Sequence, residues 1–147
     1  MAKVKVVTIC GSSKFVDIMA AVQWILERDE GAITMGLHLL PYWYCSSATH
    51  FAEFENVGEQ MDFLHMEKIR LADEILVVNT SVLVDTEYIG ESTRKEIEYA
   101  KSLGKKIRYL SGEPKIKEEV LWKIKSFIVN QKSIKEQKPP TELVQED

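Results

Sequence analysis

Cysteine is nearly absent from this chain, with two residues, Cys10 and Cys45, in 147. Two thiols make no disulfide framework, and neither a CxxC pair nor a zinc-type Cys/His spacing occurs. Histidine is nearly as scarce, and His38, His50 and His65 form no recognisable ligand set, so no metal and no cofactor is expected. The glycine-rich phosphate loops are missing as well. Without GxxxxGK[ST] or GxGxxG, ATP hydrolysis and dinucleotide binding are disfavoured. Positive charge is not in excess: the net charge is -4, which gives no general attraction to extended nucleic acid. Long apolar runs are lacking too. The first one, ending at Cys10, is far too short for a signal peptide or a membrane span, so a cytoplasmic chain without membrane contact is expected. No internal repeat or low-complexity segment is found.

What remains is ordinary globular material. With 45% hydrophobic residues, the chain can bury one core. Lys3 to Cys10 reads as a strand buried on both faces, followed by a Gly11-Ser12-Ser13-Lys14 turn and a helix from Phe15 to Arg28. Ser12 or Ser13 is a plausible N-cap. Ala32 to Leu40 is a weaker strand interrupted by Gly36, and Pro41 to Ala52 an aromatic loop. A helix then runs from Glu53 or Glu59 to Ala72, with Val57, Met61, Leu64 and Ile69 inward. Glu74 to Asn79 is a second clear strand, Ser92 to Leu103 a helix ended by Gly104, Lys106 to Leu110 a strand, and Ile116 to Val129 the last helix. Strands alternating with helices predict a single α/β domain over residues 1–130, with a Rossmann-like or flavodoxin-like parallel sheet and helices on both faces. Residues 131–147, polar and carrying Pro139-Pro140, are expected to be a disordered tail. Ligands of such folds gather beyond the carboxyl ends of the strands.

Three segments there carry groups with chemistry. The turn Gly11 to Lys14 offers backbone N–H groups, two hydroxyls and an ammonium to an anion, or serves only as a capped turn. In Gly90 to Ala100, Glu91 with Lys95 and Arg94 with Glu98 are solvent-facing i,i+4 pairs. Glu96 instead shares a stripe with Thr93, Ala100 and Leu103 and points inward. That carboxylate either closes a capping box with Thr93 or serves a site. Asp73, just ahead of the third strand, reads as a turn residue or a site acid. His65 is a lone helical histidine, and Cys10 a small buried side chain.

In their order, Thr8-Ile9-Cys10-Gly11-Ser12, Ala72-Asp73 and Gly90 to Ala100 resemble the nucleoside 2-deoxyribosyltransferase superfamily, including its deoxynucleoside 5'-monophosphate N-glycosidases. The resemblance spans about residues 4 to 110. Where that family has E-x-G-x-A, this chain has Glu96-Ile97-Glu98-Tyr99-Ala100, with Glu98 replacing the glycine. The resemblance implies hydrolysis or transfer at the N-glycosidic bond of a nucleoside or its 5'-monophosphate. Glu96 would be the nucleophile and Asp73 the assisting acid, the two converging beside Gly11. Thr8, Gly11, Ser12, Ser13, Lys14, Gly90, Ser92 and Thr93 would bind substrate. It also implies a homo-oligomer. Thr8 stands where several members have a tyrosine, a phenol that Tyr42, Tyr44 or Tyr88 would have to supply. The alternative is a module of the same fold that binds a nucleotide-like ligand without turning it over. Kinship with the cytokinin-activating phosphoribohydrolases, prompted by Cys10-Gly11-Ser12-Ser13, ranks below both because their PGGxGTxxE segment is absent.

Overall fold

The computed structural model describes residues 3–39, 55–84 and 86–137, with side chains as far as residue 127. The elements are β1 (Val6–Gly11), α1 (Val16–Glu30), β2 (Ile33–Met35), α2 (Gly58–Leu71), β3 (Glu74–Val78), α3 (Glu91–Ser102), β4 (Lys106–Tyr109) and α4 (Pro114–Gln137). Short 3-10 turns at Ser13–Phe15 and Leu110–Gly112 lead into α1 and α4. The strands form one sheet in the order β2-β1-β3-β4, and every pairing is parallel. This is the α/β class expected from the alternation of strands and helices.

The two central strands are apolar on both faces because both faces are covered. Val7, Ile9, Leu76 and Val78 pack with Ile18, Val22, Leu26, Ile116 and Val120 of α1 and α4. Cys10, Ile75 and Val77 pack with Ile69 of α2 and with Ile97 and Ala100 of α3. Helix α1 stops at Gly31, whose φ of 63 reverses the chain toward β2.

Three elements differ from the reading of the sequence. Strand β2 is only three residues long, since the carbonyls of Gly36 and Leu37 accept from Lys68 Nζ, at 2.6 Å each, rather than from β1. Helix α4 continues past Val129 to Gln137, into the segment expected to be disordered. Helix α2 is turned about its axis: His65 and Ile69 are buried, whereas Met61 and Leu64 are exposed by 37% and 42%. The aromatic loop Pro41 to Ala52, with Tyr42, Tyr44, Cys45 and His50, and the end of the tail beyond residue 137 lie outside the described residues.

At the hinge from β1 to α1, Gly11 pairs with Val78 of β3 and has a φ of 156. A Cβ there would stand 2.9 Å from the Val78 carbonyl oxygen and 3.3 Å from Val78 Cβ. Both atoms belong to a central strand and cannot give way cheaply. Gly11→Ala is therefore expected to cost about 1–3 kcal/mol, the usual penalty of overpacking, as a lower urea midpoint at unchanged m-value.

Ion pairs close the opposite, amino end of the sheet. Glu30 at the end of α1 receives Arg108 and Lys5, and Arg28 forms a fork with Glu119 of α4. The Arg108 hydrogen bonds, helped by Lys5, hold the Glu30 carboxyl at about 2, against an ordinary 4.5. Arg28, helped by Lys123, likewise holds Glu119 at about 2. Both pKa values are depressed by folding, so the unfolded chain binds more protons than the folded one in this range. Their stabilisation is complete above pH 4.5 and is lost as the pH falls toward 2. Urea midpoints measured across that window should drop, and Glu30→Gln should flatten the fall.

Candidate functional site

Strand order reverses between β1 and β3: the chain leaves β1 for the outer strand β2, then returns to the other side of β1. Such a switch point leaves a crevice at the carboxyl ends of the two strands, here Cys10-Gly11 and Val77-Val78. Cys10 points to the face covered by α2 and α3. Those helices bring one polar residue each to it, His65 from α2 and Glu96 from α3.

Glu96 is directed inward with Thr93 and Ala100 of its stripe and is 8% exposed, whereas Leu103, past the end of the helix, is exposed. The capping-box alternative does not occur. Gly90 is the N-cap of α3 and offers no side chain, which leaves Thr93 inside the first turn. Glu96 Oε1 lies 3.4 Å from His65 Nε2. His65 is 4% exposed, and both its ring nitrogens, like Glu96 Oε1, lack a hydrogen-bond partner among the described residues. The Cys10 sulfur completes the cluster, with one ligand atom from each of the three residues within 4.8 Å of the others. Burial, then the adjacent Glu96 carboxylate, pushes the Cys10 thiol well above its ordinary range. Each buried polar atom left unbonded costs about 1–3 kcal/mol, and folded proteins hold few of them. Three in one cluster among the described residues single it out as the candidate site.

Asp73 is not part of this cluster. It precedes β3 at the amino end of the sheet, where its carboxylate accepts from the Val6 backbone N–H at 2.8 Å and from Lys3 Nζ at 3.0 Å. The level of Val6 and that of Cys10 are four residues apart on β1, about 13 Å at roughly 3.3 Å per residue. The backbone N–H of Val6 and then Lys3 hold the Asp73 carboxyl below its usual range, the opposite of what a proton donor to a departing base requires. The expected convergence of Asp73 and Glu96 is thereby corrected. An acid at the start of a parallel strand lies a full strand length from the end where ligands bind.

Thr8 is likewise taken up by the fold, since its hydroxyl donates to the Lys68 carbonyl of α2 at 2.9 Å. Ser12 caps the 3-10 turn, its Oγ accepting from the Lys14 N–H at 3.4 Å, whereas α1 itself starts after Phe15 with no side-chain cap. Ser13 and Ser92 are exposed, Gly90 is half-buried and Thr93 is buried. Lys14 reaches across to the β3–α3 loop, where its Nζ lies 3.3 Å from the centre of the Tyr88 ring. Tyr88 also meets Phe15 edge to face and lies against Gly90. The Gly11–Lys14 and Gly90–Thr93 segments are thus joined over the same end of the sheet. An open groove of about 640 Å³ runs beside β4, lined by residues such as Glu87, Ile107, Tyr109 and Ser111, and Glu96 does not line it.

His65, a lone helical histidine by sequence, is the residue that the structure adds to Glu96. Its signal was the spacing of His65, Ile69 and Ala72, which places it on one stripe with two buried apolar residues. The competing stripe through Met61 and Leu64 hid it. In comparisons with known proteins, no family model and no curated protein matches this chain. No helix among the described residues is long and apolar enough to cross a membrane.

Proposed function

We propose that the protein cleaves or transfers the N-glycosidic bond of a nucleoside or its 5'-monophosphate, with Glu96 as nucleophile and His65 as the group that handles the proton. The observation that carries this reading is the buried contact between Glu96 Oε1 and His65 Nε2 at the switch point, neither atom having a hydrogen-bond partner among the described residues. Breaking the bond between sugar and base develops positive charge on the anomeric carbon. A carboxylate shielded from water stabilises that charge and can trap the sugar covalently. The departing base needs a proton. Asp73 lies at the far end of the sheet with its carboxyl shifted down, and burial shifts the Cys10 thiol up and so makes it a reluctant acid, which leaves the imidazole of His65. Ser13, Lys14, Ser92 and Thr93, at the mouth of the same crevice, would meet the sugar or a 5'-phosphate. The reading carries with it a homo-oligomer, to be checked by light scattering.

The test is incubation with a panel of deoxynucleosides and their monophosphates, following free base by chromatography. A 2'-fluoro analogue run in parallel should leave a sugar attached to Glu96, seen by mass spectrometry of peptides. His65→Gln should slow base release by about 10²–10⁴-fold, the usual worth of a general acid. The loss should shrink on a substrate whose base departs without protonation, a split that a merely structural role would not produce. Release of base from no member of the panel would overturn the assignment.

A further inference from the structure

The cluster that supports this reading also has the composition of a metal site. Cys10, His65 and Glu96 offer a thiolate, an imidazole and a carboxylate, from β1, α2 and α3 respectively. We propose that these three residues bind a thiophilic divalent cation of the zinc or cobalt(II) kind, with a water in the fourth position.

Geometry is the first support. Zinc bonds of about 2.0–2.3 Å arranged tetrahedrally place neighbouring ligand atoms roughly 3.3–3.6 Å apart. His65 Nε2 and Glu96 Oε1 already stand at 3.4 Å, and all three ligand atoms fit within 4.8 Å, so closure needs about an ångström of side-chain motion. The second support is independent of distance. Both ring nitrogens of His65 and Oε1 of Glu96 are buried and unbonded among the described residues, so the metal would displace no existing hydrogen bond at those atoms. Ligand type narrows the ion, because magnesium and calcium favour all-oxygen shells whereas a mixed sulfur, nitrogen and oxygen set suits zinc or cobalt. Binding replaces the S–H bond of Cys10 by a sulfur–metal bond and releases that proton to solvent. The sequence hides the site because its ligands lie 55 and 31 residues apart, at positions 10, 65 and 96, outside any metal-binding spacing. A metal on Glu96 would compete with a sugar there, but the binding itself does not depend on the glycosidic reading.

The experiment is titration of the full, reduced chain with cobalt(II), read by absorption. The expected result is one equivalent of cobalt giving a thiolate-to-cobalt charge-transfer band in the near ultraviolet and tetrahedral bands in the visible. Zinc should abolish both, and binding should release about one proton. Cys10→Ala should remove the charge-transfer band, and His65→Gln should weaken binding by at least about tenfold. The wild-type spectrum stands by itself if either variant fails to fold. No charge-transfer band at stoichiometric cobalt, or an undiminished band in folded Cys10→Ala that still carries Cys45, would overturn the proposal.

Discussion

Glu96→Gln is expected to lower the release of base from any accepted nucleoside or nucleotide by about 10⁴-fold or more, the scale seen when a covalent nucleophile is removed. Glutamine keeps the volume and planar head of the side chain, so Ile97 and Ala100 keep their packing against β3. It loses the charge that would stabilise the cationic sugar and the electron pair that would attack it. Ligand affinity by calorimetry should change far less than turnover, because the residues proposed to bind the sugar or phosphate are untouched. This contrast separates an enzyme from a module that only binds. A Gln variant as active as the wild type would show that some other group carries the chemistry. No activity in either protein, with tight binding and ligand recovered intact, would favour the module.

The second large effect lies at the other end of the sheet. Arg108→Ala is expected to destabilise the fold by about 2–4 kcal/mol, the cost of stranding the buried Glu74 and leaving the partly exposed Glu30 and Glu113 without their cation. Arg108 hydrogen-bonds Glu30, Glu74 and Glu113 at 2.6–3.0 Å, with its own side chain only 11% exposed. Removing the guanidinium leaves three carboxylates near one another with Lys5 bonded to two of them. Glu74 is the worst placed, since it is buried at the start of β3. A loss of this size is a large part of the roughly 5–15 kcal/mol that holds an ordinary domain together. Arg108→Lys should fall between, because one ammonium cannot reproduce a planar fork serving three acids. Urea denaturation of the three proteins at neutral pH decides this. An Ala variant within about 1 kcal/mol of the wild type would show that the network only decorates the surface.

The parts that the sequence made legible share a local cause. The buried runs of β1 and β3, the Gly104 turn and the inward face of Glu96 all follow from periodicity or from one residue's backbone preference. Readings that depended on which end of a strand a residue occupies, or on which of two stripes faces the sheet, fared differently. Asp73 just before a strand and Glu96 in the second turn of a helix both read as acids beside the site, yet they belong to opposite ends of one sheet. On α2, stripes through Met61-Leu64 and through His65-Ile69 are both compatible with a helix, and only packing against β1 and α3 chooses between them.

By itself, then, the sequence determined the class of the fold, the order of its elements and the inward aim of one carboxylate, because hydrophobic period and turn chemistry act over a few residues. Tertiary structure alone decided that Glu96 meets His65 and Cys10 while Asp73 is bound to the first strand. Crossing from β2 back over β1 to β3 joins residues dozens of positions apart and separates others that the linear order made neighbours in function.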